Sequence, residues 1–332
     1  MKTNPFKNFI TYSMAAGLLG KLQSRNVIEY EIEPRMSVDP TGSMWSTMGF
    51  VSPDGSEEFV VPLTGTGAVL LAVQLNERIL PAKVRDEHMK KRLDDIMERE
   101  GRKPTKSEYA SLRDDVESEQ LPKSHIRRTV IPILVFSERI VFFTSSAKRA
   151  TDLAAIMWSV AQGSKVDTPL LPATAKESVT AWLTALVKGE DDSPFAPMTS
   201  GVLRHTEDTI KSVVRIKDKD LDDADIQALL VDNKYRVSEL RAYVMEGHSS
   251  DMDGVEGVEF TINDKLVVKG MKFPDLAIRE AIGEAGEGDD LARLEFQGMA
   301  HLVASSVSKL IYAIFEATGG EDRGVYDQYD EL

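Results

Sequence analysis

Five histidines, His88, His125, His205, His248 and His301, are the first residues to test for chemistry. Imidazole is a common general base and metal ligand near neutral pH. They lie far apart in sequence, and no H-x-x-x-H or H-E-x-x-H pair sets two of them on one helix face, so a helix-borne zinc site is missing from the pattern. The chain has no cysteine, which removes disulfides, thiolate metal sites and cysteine nucleophiles together and fits a reducing cytoplasm. Gly65-Thr66-Gly67-Ala68 lacks the spacing of a dinucleotide loop and the lysine of a P-loop, and reads as a hairpin turn. No G-x-S-x-G elbow occurs. Acidic pairs recur at Asp94-Asp95, Asp114-Asp115, Asp191-Asp192, Asp222-Asp223 and Asp289-Asp290. A two-metal nuclease needs carboxylates converging from several strands or loops. These pairs fall mostly on solvated helix faces or at helix starts, where they suit the macrodipole. Asp251-Met252-Asp253-Gly254 opens like a calcium loop but lacks the later glutamate, and reads as a turn. No catalytic residue, metal-ligand set or cofactor loop is expected.

The basic residues are more informative. Arg102, Lys103 and Lys106 cluster at one turn, and Lys123, Arg127 and Arg128 at a second point nearby. Arg215, Lys217 and Lys219 alternate through a segment that reads as a strand, which would set all three on one face. Such a face can follow phosphates without reading sequence. The competing reading is that these side chains only solvate the surface, and interleaved acids favour it for much of the first cluster.

The elements that must position these groups follow from periodicity. Residues 78–128 carry 14 Lys+Arg against 11 Asp+Glu, while the rest of the chain carries 26 against 43. Within that basic-leaning arm Val84, Met89, Leu93 and Met97 recur at helical spacing. Gly101 and Pro104 break the helix, and Thr105 with Glu108 forms a capping-box pattern that restarts it. Tyr109, Leu112 and Val116 share a face of the second helix, which ends at Leu121-Pro122. So short a linker folds the two helices into an antiparallel hairpin.

Around the arm, strands are expected at 6–12, 27–32, 59–63, 68–75, 129–136 and 139–144, with a Pro53-Asp54-Gly55 turn. Helices are expected near Leu18-Leu19, from Ser145 to Ala161 with Trp158 on the buried side, and from Ser178 to Val187. The acidic, turn-rich 189–197 stretch reads as a boundary. Beyond it strands are expected at 209–216, 237–245, 258–262 and 265–268, a short helix at 222–231, and a long helix at 289–317 whose apolar face starts at Leu291 and Leu294. Gly319-Gly320 ends that helix, and an acidic tail follows that is expected to fray.

The 332 residues are 42% hydrophobic and 28% charged, ordinary values for a globular protein of one to three domains. No run approaches eighteen apolar residues, so no membrane span is expected, and Asn4, Pro5, Lys7 and Asn8 interrupt any signal-peptide pattern. The net charge of −14 argues against polyanion binding over the whole surface. It leaves room for a local basic face, because screening over about 8–10 Å makes phosphates respond mainly to the nearest charges.

Several collinear stretches resemble one family: FKNFITY from Phe6, MGFVSPDGS from Met48 to Ser56, ERILP from Glu77 to Pro81, the charged hairpin closing in Leu121-Pro122, SSAKRATDL from Ser145 to Leu153, the KDKDL segment from Lys217, and the late helix ending in Gly319-Gly320. Together they resemble the recombination-associated protein RdgC family. No single motif among them is catalytic or diagnostic.

The resemblance implies an α+β fold with mixed or antiparallel sheets, a protruding αα-hairpin tip and a long C-terminal helix. It implies a central region at 1–76 and 129–164, a tip at 77–128, a base at 165–320 and an acidic tail at 321–332. It further implies a cytoplasmic, nucleoid-associated, non-enzymatic protein that binds double-stranded DNA without sequence preference. Members form a ring-shaped homodimer, tip to tip and base to base, and restrain the RecA recombinase. Carried over by position, Arg102 and Lys123 match basic tip residues connected with DNA binding, and Lys217 and Lys219 fall in the base segment, where local charges depart from the family's. His125 stands at the tip contact where a relative has phenylalanine. Charged imidazoles on two facing copies would repel, which weakens closure or shifts it to Ile126. The DNA-facing set is therefore Arg102, Lys103, Lys106, Lys123, Arg127, Arg128, Arg215, Lys217 and Lys219, with His125 and Ile126 at the dimer contact. No cofactor and no membrane partner are expected. The rival readings are a metal-dependent nuclease and a protein-interaction scaffold.

Overall fold

The run from Ala68 to Val73 has no polar face, and a computed structural model buries it on both sides. The structure describes residues 4–14, 17–163, 170–207, 209–248, 250–283, 291–324 and 326. The chain opens with β1 (Ile10–Ser13), α1 (Leu18–Leu22) and α2 (Arg25–Val27), which continues through a π-turn at Ile28–Ile32. Then come β2 (Ser46–Val51), β3 (Val61–Leu63), β4 (Ala68–Ile79), α3 (Ala82–Glu100), α4 (Lys106–Gln120), β5 (His125–Val135) and β6 (Arg139–Phe142). Helix α5 (Ala147–Gly163), β7 (Leu171–Pro172), α6 (Val179–Lys188), β8 (Phe195–His205), β9 (Val213–Ile216) and α7 (Ala224–Leu230) follow. The chain closes through β10 (Tyr235–Val244), β11 (Glu259–Asn263), β12 (Val268–Lys272), α8 (Asp275–Ile282) and α9 (Leu291–Ala317).

The first sheet runs β2-β4-β5-β6-β1-β7, with β3 also on β4, and the second runs β12-β11-β10-β8-β9. Every strand pair in both is antiparallel, so the fold is α+β and the mixed alternative drops out. Val69, Leu71 and Val73 face a core shared with α5, α1 and the turn after α2. Leu70, Leu134 and Val141 face a second core that continues through α6, the second sheet and α9. A strand buried on both faces reads as a continuous apolar run, which accounts for AVLLAV. The sheets are stitched at Phe9 and Val268, whose backbones exchange two hydrogen bonds of 2.8 and 3.0 Å.

Several sequence expectations are corrected. VIEYEI, expected as a strand, is helical. Its alternation is overridden by ion pairs one turn apart, Arg25–Glu29 at 2.7 Å and Arg35–Glu31 at 2.9 Å, while Val27 and Ile32 turn into the core. The 189–197 boundary runs directly into β8, where Phe195 is buried against Trp182 and Phe260. Strand β8 and helix α8 add to the expected elements, and Pro197, Ser200 and Gly201 mask the strand pattern of the first. Strand β12 begins at Val268, three residues after the expected start, because Asn263 to Val267 form the turn. Trp158 and Leu294 are half-exposed at 40% and 52%, each on the solvent side of its helix. The expected start of the long helix at 289 lies outside the described residues.

The tail does not fray where it is described. The Glu321 carboxylate accepts from Arg139 at 2.6 and 2.8 Å and from the Ser13 hydroxyl, and Tyr326 donates to the Ser13 carbonyl at 2.8 Å. Acidity points to solvation, but the arginine and serine partners hold Glu321 buried.

Helix α9 is long and apolar enough, by length and composition, to cross a membrane. Its Val303, Val307, Leu310 and Ile314 instead lie in the large core.

Candidate nucleic-acid interface

The hairpin of α3 and α4 continues directly from the longest strand pair. Strands β4 and β5 stay in register out to Ile79 and His125, and the helices begin just beyond. Met89 and Val116 bury the seam between them, and Arg85–Glu117 (3.5 Å) and Arg92–Glu119 (2.5 Å) cross it. Gly101 closes α3 with φ of 64°, a left-handed conformation that glycine takes without steric cost. The capping box is formed: Glu108 N–H donates to Thr105 Oγ1 at 3.3 Å, and Thr105 N–H donates to the Glu108 carboxylate at 2.8 Å.

That same carboxylate is the partner of Arg102. The guanidinium donates to both Glu108 oxygens at 2.8 and 2.9 Å and sits 2.7 Å from Glu100. The bidentate bond with Glu108 holds Arg102 above its ordinary value, and the bond from Arg102, with those from Thr105, brings Glu108 down to about 2. Lys103 and Lys106, on the same turn, are exposed and show no ion pair among the described residues.

The second cluster is engaged at each member. Lys123 Nζ is 3.6 Å from Glu119, Arg127 is 2.7 Å from Glu77, and Arg128 is 2.7 Å from Asp39. Arg127 and Arg128 belong to β5 itself, so they point to opposite faces of the sheet. His125 is exposed beside an open groove of about 340 Å³ lined by Ile79, Leu80, Val84, Gln120 and Lys123, while Ile126 is half-buried.

The third cluster does not share a strand face, which corrects the expectation. Strand β9 ends at Ile216, and Asp218 has φ of 53°, so Lys217 and Lys219 lie in a turn beyond it. Lys219 is 3.0 Å from Asp223 and 3.5 Å from Asp225, and the hydrogen bond to Asp223 raises its ammonium above the ordinary lysine value. Arg215 and Lys217 are exposed and show no ion pair among the described residues. Charge counting along the sequence could not separate Lys103, Lys106, Arg215 and Lys217 from the engaged residues, because the pairing acids include distant ones such as Asp39 and Glu77.

For the nuclease alternative, a cavity of about 810 Å³ holds Asp191, Asp192, Asp251 and Glu316, interleaved with Arg139, His248 and Lys309. Among the described residues no group of three His, Asp or Glu side chains is arranged to hold a metal ion.

A family model described as "Putative exonuclease, RdgC" matches residues 5–321. The chain belongs to the RdgC family. Two relatives named "Recombination-associated protein RdgC" illustrate the likeness. That of Pseudomonas putida (strain GB-1) is 28% identical over 321 residues, 96% of this chain and 98% of the relative. That of Pseudomonas aeruginosa strain PAO1 is 29% identical over 322 residues with the same coverage. Membership of the RdgC family and its relatives' names tie the chain to recombination. The family's description and the relatives' names differ on activity, one naming an exonuclease and the other only an association.

Proposed function

We propose that this RdgC-family chain binds double-stranded DNA without sequence preference, acts without catalysing a reaction, and restrains recombination by occupying DNA that a RecA-type recombinase would otherwise coat. The functional unit is a homodimer closed around the duplex through hairpin tips and bases, with His125 and Ile126 at the tip contact. It works in the cytoplasm, on the nucleoid. The observation that carries the reading is a basic-leaning hairpin projecting from an acidic chain, with Lys103 and Lys106 at its far turn engaged by no carboxylate among the described residues. Phosphate contacts there need displace no intramolecular ion pair. Closure around DNA supplies retention that few contacts alone do not, which reconciles DNA binding with a net charge of −14.

The test is a binding titration on linear and closed-circular duplexes at two salt concentrations, with the mass in solution measured alongside. A ring dimer is retained on closed circles at salt that strips it from open-ended linear DNA. Equal loss from both forms contradicts closure.

The exonuclease reading is favoured by the family model's description. End-labelled duplex incubated with magnesium or manganese discriminates the two: shortening that an Asp191→Asn/Asp192→Asn variant abolishes establishes the enzyme.

A further inference from the structure

The second sheet has one face in the large core and one in solvent, and the solvent face is basic. Leu203, Val237, Leu240, Phe260, Ile262 and Val268 point into the core. Strand alternation therefore sends Arg204, Arg215, Arg241, Lys269 and Lys272 outward. The register makes them neighbours. Arg215 lies across from Val202, one position along that face from Arg204, while Arg241 lies across from Thr261, which lies across from Lys269. Among the described residues, the acids that the register sets on this face are Glu239 and Glu259, and each is taken: Arg241 holds Glu259 at 2.6 Å and Lys269 holds Glu239 at 2.7 Å. Arg204, Arg215 and Lys272 are left as exposed cations. Arg204 is aimed by its neighbour, its Nε donating to the buried Ser238 hydroxyl at 3.2 Å.

Like charges on one sheet face disfavour folding unless something anionic answers them. In a chain of net charge −14, uncompensated cations on a broad polar sheet call for a polyanion with regularly spaced charges. Strands about 4.8 Å apart place such cations across roughly 20 Å, enough to meet several phosphates at once. An acidic protein segment offers no such regular spacing.

We infer that the solvent face of the second sheet is a phosphate-contact surface for duplex DNA, with Arg204 and Arg215 as its principal contacts and Lys272 beside them. This rests on the DNA-binding reading and adds to it a surface far in sequence from the hairpin. Ser238 is a positioning residue for Arg204. Contacts of this kind hold the backbone and read no bases.

The test compares the full chain with an Arg204→Gln/Arg215→Gln variant by fluorescence anisotropy on a labelled duplex over a range of salt. Each lost phosphate contact lowers the slope of log K against log salt by about 0.9. The variant is expected to lose about 1.8 from that slope and to weaken equally on unrelated sequences. An Arg204→Lys/Arg215→Lys variant, which keeps the charge, is expected to retain the slope, and circular dichroism checks that both are folded. Lys272 is also expected to be protected from acylation when duplex is added to the wild type. If the wild type binds while the glutamine variant keeps the full slope and Lys272 stays reactive, the sheet surface is wrong and the hairpin reading stands. If the wild type does not bind duplex DNA at low salt, both fall.

Discussion

Arg127 stands directly across the β4–β5 ladder from Glu77, with its guanidinium 2.7 Å from the carboxylate, and Arg149 reaches the same oxygen from α5 at 3.4 Å. One acid thus engages two cations on one face of the first sheet. Phosphate binding there must first displace a carboxylate. Glu77→Gln removes the competitor, and since exposed pairs contribute about 0.2–1 kcal/mol, duplex affinity is expected to rise up to about fivefold. Anisotropy at low salt measures it. An unchanged affinity means that this face does not meet DNA.

The hairpin turn gives the opposite contrast. Lys103→Ala/Lys106→Ala removes two exposed cations that engage no carboxylate among the described residues, and is expected to weaken binding on all sequences and lower the salt slope by about 1.8. Arg102→Ala is expected to change the slope far less, because Glu100 and Glu108 already neutralise that guanidinium. Equal effects of the two variants would show that the Arg102 ion pairs open on binding.

Asp54 links the turn after β2 to α9. Its side chain is shut off from solvent and accepts from Gln297 at 2.7 Å, Arg293 at 3.1 Å and the Ser56 N–H at 3.0 Å. Burial by itself raises its carboxyl, but the hydrogen bonds from Ser56, Gln297 and Arg293 outweigh burial and hold it well below the usual range. A lowered folded value stabilises the fold fully above the unfolded value of about 4, and the benefit is lost as pH falls through the folded value. Asp54→Asn is therefore expected to lower the melting temperature at neutral pH and to flatten its decline on acidification below about pH 4. A parallel decline in both proteins would remove Asp54 from the acid response.

At the root of the hairpin, His125 flanks a mostly apolar groove. If tips meet tips, His125→Phe is expected to tighten self-association and His125→Asp to loosen it. Sedimentation mass against protein concentration reads both. Identical profiles for the two variants would put the dimer contact elsewhere.

Local chemistry made much of this legible in the sequence. The Thr105–Glu108 capping box, Gly101 and the helical apolar spacing specify the hairpin, and AVLLAV specifies a central strand. What failed depended on partners distant in sequence. Glu321 looked like a solvated tail residue until Arg139 and Ser13 met it, and VIEYEI alternated like a strand although its charges pair one helical turn apart. The same holds for the candidate site. Arg215 is legible as a strand cation, but its neighbour Arg204 lies in β8, whose pattern Pro197, Ser200 and Gly201 mask, and the carboxylates that engage Arg127 and Arg128 come from 50 and 89 residues away.

Sequence-independent duplex binding is tested most directly by the affinity of the full chain for one duplex, followed by anisotropy as salt rises from about 50 to about 200 mM. The account predicts a linear fall of log K with log salt, with a slope near −0.9 for each phosphate contacted, and the same line on an unrelated sequence. No binding at the lowest salt, or a line that is flat with salt or tied to one sequence, would contradict it.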